Sequence, residues 1–313
     1  MRIFITGIAG FIGFHLALAL KKKGYEVTGC DSFNQYYEPE LKELRAKIMQ
    51  ENGIEIHRFD ILNLDDHEVH LEGITHLVHF AAIAGVRYSI EHPEEYMDIN
   101  ITGTYKLLEY LKRNPHIEYV YASSSSVYSG SDTFPSVETE PADKPLNLYA
   151  ATKRSNELMC YTYHSLFGIK MRGLRFFTVY GTFGRPDMAL FKFADLMKKG
   201  EPIEVYNNGD MLRDFTYVDD IVSGVTACIE KSMDFEIFNL ASGYEEKLTD
   251  MISFLEEGIN LKAEIKLVPG CQGEPTRSNA DLTKAKEMLG YNPQVRLKEG
   301  ISRFSEWFLE YRA

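Results

Sequence analysis

The chain has few cysteines, and none of them is arranged for a disulfide framework or a metal. Its 313 residues include only 4 cysteines, and no two of them form a CxxC pair. Scattered thiols of this kind are typical of a protein kept in a reducing compartment. The 9 histidines show neither an HExxH motif nor a Cys/His ligand spacing. We therefore predict no disulfides and no metal site.

Basic residues and long apolar runs are also scarce. A net charge of −12 argues against nucleic acid or an anionic membrane surface as the main partner, although it permits a local pocket for a small anion. No stretch approaches the roughly 20 apolar residues that a membrane span requires. A strand-like pattern begins at Arg2, so we expect no secretory signal and a cytoplasmic protein.

What the chain does have is a regular alternation of strand-like and helix-like segments in its first half. Most of the strand-like runs are almost continuously apolar, which predicts an α/β protein with a doubly wound parallel sheet of the Rossmann type. After about Phe177 the segments become shorter and richer in glycine, proline and asparagine. We therefore predict a dinucleotide-binding domain over residues 1–177 and a smaller, irregular α+β substrate region over 178–313. A strand near 235–240 is expected to be able to rejoin the main sheet.

Three glycines, Gly7, Gly10 and Gly13, lie between the first strand and the first helix. Such glycines allow a sharp turn, a close approach of the backbone to a pyrophosphate and tight helix packing. The spacing alone is a weak signal, but Asp31 ends the second strand, where it can accept hydrogen bonds from the adenosine ribose. Its negative charge would repel a 2′-phosphate, so we predict NAD rather than NADP.

Other cofactor candidates lie at the ends of the strands and in the loops that follow them. The end of the third strand is expected to meet the adenine, and small residues after the fourth to lie against the cofactor. The full predicted set is Gly7, Gly10, Phe11, Ile12, Gly13, Asp31, Asn34, Asp60, Ile61, Phe80, Ala81, Ala82, Asn100, Ser123, Tyr149 and Lys153.

Catalytic chemistry is indicated by two motifs, SSSSVY and YAATK. Tyr149 and Lys153 are four residues apart and therefore project from the same face of a helix. A lysine ammonium near a phenol favours the phenolate and lowers its pKa from about 10, and the charge of NAD⁺ acts in the same direction. Such a phenol would be a general base near neutral pH. An isolated pair of this type is more often an exposed helix pair, but its position after a serine-rich strand end favours catalysis.

Six motifs carry a resemblance that covers nearly the whole chain: TGIAGFIG, FAAIAGVRYSIEHP, ASSSSVY, LYAATK, LRFFTVYGTFGRPDMALFKF and NNGDMLRDFTYVDDI. They resemble those of the extended short-chain dehydrogenases/reductases, and in particular the nucleotide-sugar epimerases. AGVRYS, GRPDMA and RDFTYVDD are most similar to the UDP-glucuronate 4-epimerases, which interconvert UDP-glucuronate and UDP-galacturonate. The resemblance implies a UDP-sugar substrate, a tightly bound NAD and a homodimer formed through helices 93–113 and 149–167.

The resemblance also implies roles for the catalytic residues. Tyr149 would take the proton from the 4-hydroxyl of the sugar, and Lys153 would tune it and hold the nicotinamide ribose. Ser124 matches the catalytic serine or threonine of the family, with Ser125 as the alternative.

Substrate-binding residues follow from the same resemblance. Thr178 and Arg185 are expected at the uronate carboxylate, because arginine suits forked recognition of a carboxylate. Arg213 and Arg277 are expected at the diphosphate. Arg87 lies in a loop near the active site, where a binding role and simple solvation are equally good interpretations.

Three alternatives stay open: a UDP-galactose type of UDP-hexose 4-epimerase, a UDP-glucuronate decarboxylase and a non-catalytic NAD-binding regulatory protein. Decarboxylases and dehydratases of the superfamily carry an acid between the catalytic Ser/Thr and Val-Tyr, where this chain has Ser125 and Ser126. UDP-galactose 4-epimerases commonly have asparagine in place of Thr178. The chain departs from the common pattern at Ser129, inserted before Gly130, and at Phe14, where a small polar residue is usual.

Overall fold

Parallel strands form the central sheet of the computed structural model, which describes residues 1–270, 273 and 275–313. Strands in the described residues are β1 (Arg2–Thr6), β2 (Glu26–Asp31), β3 (Glu55–Arg58), β4 (His76–His79), β5 (Glu118–Ser124), β6 (Met171–Phe176), β7 (Thr178–Tyr180), β8 (Ile203–Val205), β9 (Leu212–Arg213), β10 (Phe215–Tyr217), β11 (Phe235–Leu240), β12 (Glu246–Lys247) and β13 (Ile265–Leu267). The α-helices are α1 (Phe11–Lys22), α2 (Pro39–Glu51), α3 (Tyr88–Glu91), α4 (Pro93–Glu95), α5 (Thr104–Arg113), α6 (Leu148–Phe167), α7 (Ala189–Lys199), α8 (Val218–Glu230), α9 (Leu248–Ile259), α10 (Thr283–Leu289) and α11 (Leu297–Tyr311).

The main sheet has 7 strands in the order β11-β6-β5-β4-β1-β2-β3, and every neighbouring pair is parallel. This is the predicted doubly wound topology, which is confirmed. The strand order reverses between β1 and β4, so the loops that leave their carboxyl ends diverge and open a crevice there. Ligand-binding residues are therefore expected at the ends of β1, β2, β4 and β5.

Both faces of the sheet are covered, as its apolar strands require. Alternate residues of β1 enter different hydrophobic clusters: Ile3 and Ile5 lie in one with Leu16 of α1, whereas Phe4 lies in another with Leu107 of α5. Because side chains alternate along a strand, this pattern places helices on both sides of the sheet.

In the described residues beyond Phe177, three two-stranded pairs form and one further strand completes the main sheet. β7 pairs with β10, β8 with β13 and β9 with β12, while β11 lies beside β6. The strand expected near 235–240 therefore does join the main sheet. Residues on either side of the predicted domain boundary share one hydrophobic cluster.

The predicted helix 93–113 is helical but not uniform. A π-helical segment, Tyr96–Gly103, separates α4 from α5. Gly103 packs closely here, since a Cβ added to it would lie 2.5 Å from Ile61 Cδ1. The wide turn directs the amide of Asn100 at the backbone of Ile83.

Cys30, Cys160 and Cys228 are buried and free, and Cys271 lies outside the described residues. None of the helices in the described part of the chain has both the length and the apolar character that crossing a bilayer demands.

Candidate active site

The glycine-rich loop between β1 and α1 is shaped by steric limits on its glycines. Gly7 has a φ of 71°, and its N–H donates to the Cys30 carbonyl over 2.8 Å. A Cβ on Gly7 would lie 2.7 Å from the nitrogen of Ala81, and one on Gly13 would lie 2.4 Å from the Gly7 oxygen. The start of α1 therefore packs directly on the loop, and the end of β4 packs on its other side.

The first turn of α1 suits an anion. Gly10 is the N-cap of this helix and has no side chain to bond the first-turn amides. The N–H groups of Phe11, Ile12 and Gly13 precede the first intrahelical bond, which the Phe14 N–H donates to the Gly10 carbonyl. Amides of this kind, with the positive end of the helix dipole, fit the phosphates of a dinucleotide.

Asp31 ends β2 as predicted, but it has a cationic neighbour. Its Oδ1 accepts from the Phe33 N–H at 2.9 Å and lies 3.4 Å from Lys42 Nζ, which also donates to Asn34 Oδ1 at 2.9 Å. Both of these contacts fall on Oδ1, and neither involves Oδ2, the oxygen that we propose for the ribose hydroxyls. Lys42 was not predicted, and its charge offsets part of the repulsion that we expected to exclude a 2′-phosphate.

Three predicted cofactor residues use their polar groups within the protein. Asp60 Oδ1 accepts from the Leu62 N–H, the Asn100 amide bonds both backbone groups of Ile83, and Ser123 Oγ donates to Glu157. These contacts fix the three side chains within the protein, and their part in binding the cofactor stays a prediction.

The remaining predicted cofactor residues after β3 and β4 differ in exposure. Ile61 is buried in the hydrophobic core, and its contact with the cofactor stays a prediction. Phe80, Ala81 and Ala82 follow β4 and are half-buried, in the crevice beside the glycine loop.

The catalytic motif is presented by the N-terminus of α6. Asn147 caps this helix by accepting from the Ala150 N–H at 2.8 Å, which places Tyr149 and Lys153 in the first two turns. The Ser124 hydroxyl lies near the phenol of Tyr149 and acts to lower its pKa, while its Oγ donates to Ser126 Oγ at 3.1 Å. Ser124 is therefore the better supported of the two serines proposed from the sequence.

The electrostatics of Tyr149 differ from the prediction. Burial raises its pKa, and the hydrogen bond from Ser124 and the charge of Arg185 only partly oppose this effect. Lys153 does not act on the phenol here: its Nζ donates to the Ala122 carbonyl at 3.0 Å, and burial lowers the pKa of Lys153 to about 8. Of the two causes that we predicted for a lower tyrosine pKa, the lysine does not act here, which leaves the positive charge of NAD⁺.

Arg185 lies close enough to influence Tyr149, as the uronate hypothesis requires, but its fork is engaged by the protein. Its Nε and Nη2 donate to the two carboxylate oxygens of Asp187 at 3.0 and 2.5 Å, and Nη2 also donates to the Ala84 carbonyl at 3.0 Å. Tyr36 contacts the same carbonyl and the same carboxylate. In this structure, the two-point contact that we predicted between Arg185 and a substrate carboxylate is made with the carboxylate of Asp187. Sequence reasoning missed Asp187 and Tyr36, although Asp187 lies in the GRPDMA motif and Tyr36 only two residues from Asn34, a predicted cofactor residue.

The other predicted substrate residues fall into two groups. The backbone of Arg277 bridges to that of Leu212, beside Arg213, so the two diphosphate candidates are neighbours. Arg213 donates to the Pro275 carbonyl at 2.6 Å, and Arg277 pairs with Glu245.

Arg87 and Thr178 are not part of that arginine pair. The guanidinium of Arg87 stacks 3.8 Å from the ring of Tyr206. Thr178 is half-buried at the start of β7. Within the residues the structure describes, no three His, Cys, Asp or Glu side chains converge as metal ligands would.

Comparison with known proteins agrees with this geometry. Residues 3–241 match the NAD dependent epimerase/dehydratase family. An uncharacterized protein of Methanocaldococcus jannaschii is 48% identical over 99% of this chain and 96% of its own length. UDP-glucuronate 4-epimerase 1 of Arabidopsis thaliana is 38% identical over 99% of this chain and 77% of its own. The crystal structure of a UDP-glucuronic acid 4-epimerase from Bacillus cereus, in complex with UDP-glucuronic acid and NAD, has a TM-score of 0.93 at 35% identity and covers 99% of this chain and 100% of that one.

Proposed function

The chain belongs to the NAD-dependent epimerase/dehydratase family, and on that premise we propose that it is a UDP-glucuronate 4-epimerase. The observation that carries the proposal is that Ser124 and the Arg185 guanidinium both lie near the Tyr149 phenol, where each acts to lower its pKa. The relatives from Arabidopsis and Bacillus, which bear this activity in their names, support the same assignment.

The glycine loop, the first turn of α1 and Asp31 are the proposed NAD site. Bound NAD would accept a hydride from C4 of the sugar and return it to the opposite face, so that no net oxidation occurs. Tyr149 removes the proton from the 4-hydroxyl and later restores it, which is general acid–base catalysis. Ser124 shares the same oxygen, and Lys153 orients the nicotinamide ribose.

Arg185 has a second task in this proposal because the 4-keto form of a uronate is a β-keto acid. Carbon dioxide leaves most easily when the carboxylate bond stands perpendicular to the carbonyl plane. Arg185 is held by Asp187 and the Ala84 carbonyl, and a fixed guanidinium of this kind would keep the carboxylate bond near that plane. Thr178 is the proposed second contact, Arg213 and Arg277 are proposed at the diphosphate, and Arg87 is a further proposed substrate contact near the active site.

We also propose that the protein is a cytoplasmic homodimer. Tyr105 and Leu158, on α5 and α6, are 48% and 54% exposed, which suits an interface built from these two helices. Leu108, the third apolar position considered, is fully buried and belongs to the core. We propose the division into a cofactor part, 1–177, and a substrate part, 178–313, as a division of function. It is not a division of the fold, because β11 of the second part pairs with β6 of the first.

The test is NMR of UDP-glucuronate incubated with purified protein and no added cofactor. A UDP-galacturonate signal, together with the absorbance of co-purified NAD, is the expected result. A UDP-pentose with carbon dioxide would instead indicate a decarboxylase. Faster turnover of UDP-glucose than of the uronate would indicate a hexose epimerase, and absence of any conversion would indicate a regulatory protein.

A further inference from the structure

The loop that precedes Arg185 is anchored on the cofactor side of the molecule. His15 of α1 donates from Nε2 to the Thr182 carbonyl at 2.8 Å. Arg45 of α2 donates from Nη2 to the carbonyls of Phe183 and Gly184 at 2.7 and 3.2 Å. The backbone carbonyl that directly precedes Arg185 is therefore bound by a residue 139 positions away in sequence.

The other amino group of Arg45 reaches the glycine-rich loop. Its Nη1 donates to the Ala9 carbonyl at 2.9 Å and to the Tyr37 hydroxyl at 2.8 Å. One planar guanidinium thus spans the loop proposed for the NAD phosphates and the loop that carries the proposed carboxylate-binding arginine. Because the donors of a guanidinium have a fixed fork geometry, they set the relative position of the two loops.

Arg45 is an unusual residue to bury. It is 0% exposed, it takes part in no ion pair among the described residues, and its Nε has no hydrogen-bond partner there. A buried charge without a counter-charge costs several kcal/mol, and apolar side chains of similar size are often at least as stable in such places. Packing alone therefore does not account for an arginine at this position.

We propose that Arg45 is a positioning residue that fixes Arg185 relative to the cofactor loop and thereby sets the preference for uronates over neutral UDP-sugars. The inference rests on the proposed function, because it takes Arg185 as the carboxylate-binding group. Arg45 itself touches neither the sugar nor the reacting atoms.

The experiment compares affinities for UDP-glucuronate and UDP-glucose by calorimetry, with NAD saturating, in wild type, Arg45→Met and Arg45→Lys. Methionine keeps much of the volume but bonds neither loop, whereas lysine keeps the charge but cannot hold both loops at once. We expect the preference for UDP-glucuronate to fall at least ten-fold in Arg45→Met and at least three-fold in Arg45→Lys. The affinity for UDP-glucose should change less than three-fold.

Arg172→Met is the matched control. Arg172 is also fully buried and also has nitrogens without a partner, but it lies near the amino end of β6 and bonds Glu118. Its loss tests the general effect of removing a buried arginine, and the substrate preference should stay within two-fold of wild type.

The outcomes separate this inference from the proposed function. If folded Arg45→Lys or Arg45→Met retains the wild-type preference, Arg45 does not position Arg185 and the inference is wrong, while the proposed function stands. If wild type itself shows no preference for the uronate, both are wrong. If wild type prefers the uronate without converting it, and the variants lose that preference, the inference stands and the catalytic proposal fails.

Discussion

The cofactor side and the substrate side of the site are held by different kinds of interaction. Around Gly7 and Gly13, the backbone itself leaves no space for a Cβ, and the first-turn amides of α1 have no side-chain cap. Around Arg185 and Arg277, the groups proposed to meet substrate are side chains, each held by another side chain, Asp187 or Glu245. The first region is constrained by steric contacts of the backbone, whereas the second is held in place by pairs of charged side chains.

This difference indicates how proteins of one fold can bind the same cofactor and yet act on different substrates. Backbone amides recognise a phosphate whatever the rest of the molecule is. Paired arginines can be retuned by a change at either partner. Tyr149 belongs to neither group, since it stands at the junction, where the Ser124 hydroxyl of β5 and the charge of Arg185 both act to lower its pKa.

The largest expected effect is at that junction. Tyr149→Phe removes the acid–base group but keeps the ring, and kcat should fall by roughly 10²- to 10⁴-fold while co-purified NAD stays at the wild-type level. Turnover by NMR and NAD content by chromatography measure both. Tyr161→Phe, an exposed tyrosine on the same helix, should behave as wild type. A variant at Tyr149 with nearly full activity would remove the tyrosine from the mechanism.

On the cofactor side, one methyl group added to the glycine loop should disrupt NAD binding. Gly7→Ala and Gly24→Ala both place alanine at a positive φ, 71° and 86°, which costs about 1–2 kcal/mol. Only Gly7 has backbone atoms in the way, because nothing lies within 4 Å of a Cβ at Gly24. We expect Gly7→Ala to lose most of its NAD and to melt roughly 3–6 °C below Gly24→Ala. Equal melting temperatures and equal NAD contents would show that the loop has room to relax.

On the substrate side, a substitution of Arg185 should weaken the reaction of UDP-glucuronate more than the binding of UDP-glucose. Arg185→Ala removes charge-assisted hydrogen bonds worth about 1.5–3 kcal/mol, so kcat/KM for UDP-glucuronate should fall roughly 10- to 150-fold with NAD content unchanged. Binding of UDP-glucose should change little. Arg113→Ala, at an exposed ion pair with Glu68, is the control. An equal loss for both sugars would mean that Arg185 is not the carboxylate contact.

The smallest effect concerns pH and the core beneath the cofactor side. Burial, with a smaller contribution from Lys153, lowers the pKa of His79 to about 3. The unfolded histidine titrates near its ordinary value of about 6.5, so below that pH the unfolded chain binds a proton that the folded chain does not. The free energy of unfolding should then fall as the pH decreases, by up to about 1.4 kcal/mol per pH unit from this residue.

Urea unfolding between pH 6.5 and 5 measures this contribution. His79→Gln should make the decrease smaller by roughly 2 kcal/mol over that interval, whereas the exposed His92→Gln should leave it unchanged. Parallel curves for wild type and His79→Gln would contradict a neutral buried histidine.

The same contrast explains what the sequence could predict. The sheet, the helices and the glycine loop follow from local apolar patterns and from spacing within a few residues, and the strand order agrees with them. The pairing of Arg45 with the carbonyls of Phe183 and Gly184 spans 138 and 139 positions, and no local pattern encodes it. Asp187 lies only two residues from Arg185, yet the sequence does not reveal whether its carboxylate meets that arginine or solvent.

Electrostatic predictions failed where burial outweighed a charge. The helix spacing correctly places Tyr149 and Lys153 together on α6. It does not give the direction of the lysine ammonium, which turns to the Ala122 carbonyl. The choice between Ser124 and Ser125 likewise depended on where β5 ends, which a run of four serines leaves undefined.

The most direct test of the account follows the hydrogen at C4. UDP-glucuronate deuterated at C4 is incubated with the purified protein in ordinary water, and the UDP-galacturonate formed is examined by NMR and mass spectrometry. Because the proposed reaction removes and returns the same hydride, the product should keep its deuterium at C4. A product that carries solvent hydrogen at C4 would contradict the account.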